Sequence, residues 1–105
     1  MYLSGQIGMN PETGELVSEN VIDQTRQVLT NMGHVLEAAG VSFNHVVKTT
    51  VLFSDLKDFQ EVNKVYAEFF KDHQPARAAY QAAALPKGAK LEIEAIAVIG
   101  DITDT

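Results

Sequence analysis

Apolar residues recur along this chain with two different periods, and together these predict six elements. Tyr2 to Ile7 reads as a strand, and Asn10-Pro11-Glu12-Thr13-Gly14 is the turn that leaves it. Val21, Ile22, Thr25, Val28, Leu29, Met32, Val35, Leu36 and Ala39 then recur at three- and four-residue steps, forming the apolar stripe of a long helix. Ser18 or Asn20 can cap its start, Glu19 and Asp23 suit its positive end, and Gly40 stops it. Val46 to Phe53 is rich in β-branched residues and predicts a second strand. Ser54-Asp55 opens a second helix, with Leu56, Phe59, Val62, Val65, Tyr66 and Phe69 on its buried side. Ala78 to Ala84 is expected to be a third strand despite its alanines, Leu85 to Gly88 a turn, and Leu91 to Ile99 the last strand. The polar tail Gly100 to Thr105 is expected to be loose.

The order β-α-β-α-β-β predicts a two-layer α+β sandwich, a mixed sheet with both helices on one face. The strand–helix–strand crossovers call for parallel pairing, and a closing hairpin of the last two strands would add an antiparallel pair. On the last strand Leu91, Ile93, Ala95, Ala97 and Ile99 point one way, and Glu92, Glu94, Ile96 and Val98 the other. Both sets carry apolar residues, yet the helices can cover only one face. The uncovered face is therefore expected to pack against further copies of the chain.

At 105 residues the chain is one domain with one core. It lacks cysteine, which removes disulfides, thiolate catalysis and cysteine-held zinc. No apolar run is long enough to span a bilayer and no leader pattern opens the sequence, so the cytosol is the default expectation. Its net charge is −6 and its 8 basic residues are scattered, which disfavours a nucleic-acid function.

Few residues suggest chemistry unaided. His34, His45 and His73 are far apart and lack metal-ligand spacing. Gly5 and Gly8 are not followed by the third glycine and helix start of a phosphate loop. Ser4 and Ser54 have no nucleophile-elbow sequence. Arg77 stands out because it enters a strand behind Pro75 with only alanines around it. There it can fork onto a small carboxylate, or else serve as one half of a surface ion pair. Glu92 and Glu94 share a strand face that turns apolar further on. Partial burial would raise such a carboxyl towards the range useful for proton transfer, though edge-strand charges that deter aggregation fit the same pattern.

Seven segments then align in order with one family: Ser4-Gly5-Gln6-Ile7, Asn10-Pro11-x-Thr13-Gly14, Val47-Lys48-Thr49-Thr50-Val51, Asp58-Phe59-x-x-Val62-Asn63, Pro75-Ala76-Arg77-Ala78, Leu85-Pro86-Lys87 and Leu91-Glu92-Ile93-Glu94-Ala95. On these the chain resembles the reactive-intermediate deaminase (Rid/YjgF) family over nearly its whole length. Pro75 to Gly88 looks most like the animal, liver perchloric-acid-soluble type. The resemblance implies a chorismate-mutase-like fold and a homotrimer whose sheets form a central barrel. It implies hydrolysis of 2-iminobutanoate and 2-iminopropanoate to 2-keto acids and ammonium, without a cofactor or metal. Carried over by position, Arg77 clamps the substrate carboxylate, Glu92 stands near the imine and its attacking water, and Ser4 and Asn63 line the cleft. Ala79 stands beside the substrate where bacterial relatives often carry a cysteine, so no thiol role transfers. Family members also begin with an extra strand bearing a Gly-Pro-Tyr segment, which these 105 residues lack. The competing expectations are an endoribonuclease on single-stranded RNA that inhibits translation, and a carboxylate-binding trimer without turnover.

Overall fold

The structure, a computed structural model, describes residues 1–71 and 74–99. His73 and the tail from Gly100 lie outside the described residues. The elements are β1 (Tyr2–Gln6), α1 (Val21–Ala38), β2 (Val46–Phe53), α2 (Phe59–Phe69), β3 (Ala76–Gln81) and β4 (Leu91–Ala97). They form an α+β fold with a four-stranded mixed sheet in the order β1-β4-β2-β3. The helices share a core with the inward side of the sheet, in which Leu29, Met32, Val62, Phe53, Leu91 and Ile93 are all fully buried.

Local chemistry fixes the limits of α1. The Asn20 side chain accepts from the backbone N–H groups of Ile22 and Asp23, at 2.8 and 3.2 Å, satisfying donors the first turn cannot. Gly40 closes the helix at φ 77, where a Cβ would be strained. Its N–H donates to Glu37 O and that of Val41 to Leu36 O, the paired bonds of a Schellman stop.

One position on the expected stripe departs from the pattern. Val35 is 42% exposed, while Gln24 is buried within the same stripe. Gln24 Nε2 donates to Ser18 O at 2.9 Å, and its Oε1 accepts from Lys90 N–H at 2.8 Å. The amide thereby ties the loop before α1 to the residue that precedes β4. Gly8 makes this close packing possible, because a Cβ there would lie 2.7 Å from the Gln24 Cα. Gln24→Leu keeps most of the volume but orphans a half-buried carbonyl and a half-buried N–H. It is expected to cost about 2–3 kcal/mol of stability, measured as a lower urea midpoint at unchanged slope.

The strand order corrects two expectations. The last two strands do not form a hairpin: β4 crosses beyond β2 and runs antiparallel to both β1 and β2. The nine residues from Ala82 to Lys90 are more than a tight hairpin uses, and they carry the chain across the end of β2. Ala82 N–H donates to Phe53 O, and Ser54 N–H to Lys90 O, anchoring both ends of this connection to the same strand end. The crossover through α2 does join a parallel pair, β2 and β3. The crossover through α1 joins β1 and β2, which run in one direction but are separated by β4. The strand with the most continuous inward face, Leu91 to Ala97, thus occupies a central position, and alanine-rich β3 is left at the edge.

Smaller differences follow the same logic. β3 spans Ala76 to Gln81 rather than Ala78 to Ala84, because its register with Lys48 to Phe53 of β2 runs out at Gln81. β4 ends at Ala97, leaving Ile99 55% exposed. Leu56 falls in a short 3-10 turn ahead of α2 and is 44% exposed, off the buried side.

Candidate active site

Arg77 is the second residue of β3, immediately after Ala76 and the buried Pro75. It pairs with Thr49 of β2, which in turn pairs with Ala95 of β4. Thr49 and Ala95 are both buried beneath the helices, so the Arg77 row belongs to the helix-covered face. At the sheet edge the Arg77 side chain turns towards α2, where Nη1 donates to Asn63 Oδ1. Its guanidinium carbon lies 5.2 Å from the Phe59 ring centre and 4.9 Å from that of Tyr66, within cation–π range of both. Phe59, Asn63 and Tyr66 are spaced i, i+4 and i+7, so one stripe of α2 supplies all three contacts.

Tyr66 is itself fixed from below. Its hydroxyl lies 2.7 Å from Thr49 Oγ1 in a buried hydrogen bond. Burial pushes the phenol above its ordinary range, against the opposing pull of the Thr49 bond and the Arg77 charge. Arg77 remains exposed, and among the described residues no carboxylate pairs with it. Among the described residues Asn63 alone takes one of its five N–H donors, beside half-buried Ala79 on the same strand face.

Glu92 belongs to the other face. Leu91, Ile93, Ala95 and Ala97 are buried, and half-buried Glu92 and Glu94 alternate with them on the side the helices do not cover. Glu94 accepts from the Tyr2 hydroxyl at 2.7 Å. That bond raises the Tyr2 phenol above its usual range, helped by lost hydration and by the charges of Glu94 and Glu92. Glu92 lies against Gly5 of neighbouring β1, where a Cβ would come 2.7 Å from the Glu92 Cδ. Exposed Ser4 precedes that glycine. Glu92 also borders a cavity of about 710 Å³ that runs past β1 to Val35 and His34 on the flank of α1. Arg77 does not line this cavity.

The five residues singled out from sequence therefore fall into two groups. Arg77, Asn63 and Ala79 cluster at the β3 edge, and Ser4 and Glu92 lie on the adjacent strands β1 and β4. The Glu92 row contains Leu52 and Tyr80, three residues along from the Arg77 row. The two groups are thus about 10 Å apart along the strands and about 10 Å across them, and they project from opposite faces. No side-chain rotation joins them within one chain. Sequence reasoning missed Phe59 and Tyr66 as site residues, having assigned both to the core. The available signal was their spacing about Asn63, which makes a cation-binding stripe when an arginine strand packs beside it.

Comparison with known proteins agrees with this architecture. Residues 1–99 match the family model described as Endoribonuclease L-PSP. The human 2-iminobutanoate/2-iminopropanoate deaminase is 56% identical over 103 residues, covering 98% of this chain and 75% of that protein. Among solved structures, RidA from the Antarctic bacterium Psychrobacter superposes with a TM-score of 0.89 at 49% identity, covering 93% of this chain and 79% of that one. TdcF of E. coli with bound serine superposes at 0.86 and 47% identity, covering 92% and 78%. A family match over almost the whole sequence, with the same fold in its solved relatives, makes this chain a member of the endoribonuclease L-PSP, or Rid, family.

Proposed function

We propose that this protein is a hydrolytic deaminase of short 2-imino acids, with each active site assembled between two copies of the chain in a homotrimer. The observation that carries this reading is the state of Arg77: held by Asn63 and two rings, unmatched by a described carboxylate, and open beside small Ala79. Such a guanidinium suits a planar carboxylate, which it can bind through two parallel hydrogen bonds. The activity named for the human relative, at 56% identity, supplies the substrate class.

The chemistry asks little of the protein beyond placement. The iminium carbon of a 2-imino acid is already electrophilic, so water can add to it without a metal or a covalent nucleophile. Arg77 fixes the carboxylate and with it the neighbouring carbon, and Glu92 of a second copy takes a proton from the attacking water. The carboxyl returns that proton to the carbinolamine nitrogen, which leaves as ammonia, and the hydroxyl proton passes through Glu92 to the ammonia as the carbonyl forms. One iminium and one water become one 2-keto acid and one ammonium. Ser4, beside Glu92, and Asn63, beside Arg77, line the two halves of the cleft.

A second copy is needed because Arg77 and Glu92 face away from each other within one chain. The open sheet face favours such assembly, since it exposes Tyr2 and Ile96 around the half-buried acids. The net charge of −6 and the paired carboxylates on that face weigh against RNA as the main ligand.

The test is keto-acid release from imines generated in situ by an amino-acid oxidase, alongside the mass in solution by light scattering. The expected result is acceleration over the buffer rate by a particle of three chains. Full activity from a monomer would sink the shared site, and no acceleration would sink the deaminase.

A further inference from the structure

The contacts on Arg77 carry a further conclusion, which rests on the carboxylate clamp just described. We infer that Phe59 and Tyr66, the latter anchored by Thr49, are positioning residues that set the plane of the Arg77 guanidinium and so determine how tightly the substrate carboxylate is held. Neither residue is proposed to touch the reacting atoms.

Arg77 sits near the start of an edge strand, so neighbouring strands confine its backbone from one side only. An arginine there has several rotatable bonds, and a fork must hold its plane to make two parallel hydrogen bonds. Asn63 fixes one nitrogen, which still allows rotation about that contact. Two rings at 4.9 and 5.2 Å restrict the remaining freedom while leaving N–H donors unused, because a ring attracts the cation without accepting in the carboxylate's place. A carboxylate in the position of either ring would hold the arginine equally well but would compete with substrate.

The support continues inward. Tyr66 is 4% exposed and stacks on Phe70 with ring centres 4.5 Å apart. Its hydroxyl is tied to Thr49, whose own backbone pairs with Arg77 across β2 and β3. The sheet residue beside the arginine thus also fixes the ring that packs on the arginine, which closes a loop of contacts through Thr49, Tyr66 and Arg77. On the other flank Phe59 packs against buried Phe53, with centres 5.9 Å apart. Both rings are held by the core, so the guanidinium plane is referenced to the rigid part of the fold.

Three variants separate positioning from mere packing. Tyr66→Phe keeps the ring and removes only the hydroxyl that ties it to Thr49. Phe59→Leu keeps an apolar side chain and removes the π face, while Phe59→Tyr restores that face. For the substitutions that loosen the arginine, KM for the imino acid should rise about three- to tenfold with kcat within about twofold, as loss of ground-state grip requires. Phe59→Tyr should return KM to within about twofold of wild type. Calorimetric titration with 2-oxobutanoate should show Kd rising in parallel with KM.

Unchanged KM and Kd in both Phe59→Leu and Tyr66→Phe would overturn the inference, even if their thermal stability fell. A wild type that binds 2-oxobutanoate but hydrolyses no imine would remove the deaminase reading alone, and Kd would then decide the positioning role. A wild type that neither binds 2-oxobutanoate nor hydrolyses the imine overturns both.

Discussion

Arg77→Ala is expected to lower kcat/KM for 2-iminobutanoate by at least about a hundredfold. Two charge-assisted hydrogen bonds to a carboxylate are each worth about 1.5–3 kcal/mol, and losing both removes the group that orients the electrophilic carbon. The loss should appear in kcat as well as KM, because a carboxylate free to swing presents the imine to water in many poses. Arg77→Lys separates charge from shape: the ammonium retains attraction but not the fork or the flat contact with Phe59 and Tyr66. It should recover a minor part of the activity. Global stability should change little in either variant, since Arg77 is exposed and its hydrogen bond to Asn63 lies at the sheet edge. An Arg77→Ala enzyme within about threefold of wild type would remove the clamp from the mechanism.

The second large effect tests the division of the site. Glu92→Gln removes the proton acceptor while keeping the shape that rests against Gly5, and kcat should fall by about 10²–10⁴-fold with KM nearly unchanged. Mixing it with Arg77→Ala gives a sharper result. If each site takes Arg77 from one chain and Glu92 from the next, mixed trimers contain some interfaces with both wild-type residues. Random assembly after unfolding and refolding the two inactive variants together would then restore about a quarter of wild-type activity. A site contained within one chain predicts no recovery.

Much of this molecule is legible in its sequence, and the failures share one cause. Hydrophobic periodicity states which way a side chain points, so the α1 stripe and the inward residues of β4 could be assigned before any coordinates. Periodicity does not state which strand lies next to which. The alternation of Leu91 to Ala97 is the same whether that strand pairs with β3 or inserts between β1 and β2. The clue was a spacer from Ala82 to Lys90 too long for a tight turn. Gln24 was overlooked for a related reason: at a stripe position a polar side chain reads as an interruption until its two partners, Ser18 O and Lys90 N–H, are known. The candidate site was legible as a set of residues but not as an arrangement. Arg77 and Asn63 do meet, whereas the separation of Glu92 from Arg77 depends on strand order, and the aromatic grip on Arg77 depends on how α2 lies over β3.

The insertion of β4 also governs how the chain can mature. Among the described strands β1 is made before β4, yet β4 is its partner in the sheet, with Tyr2 opposite Ile96. β2 and β3 can pair early with α2 between them, but one edge of β2 stays open until Leu91 to Ala97 has been made. Within these four strands β1 and one edge of β2 therefore both wait for β4, whose insertion joins them in one late step. Contacts so distant in sequence make that step slow, and it is then that chaperones have their longest opportunity to act.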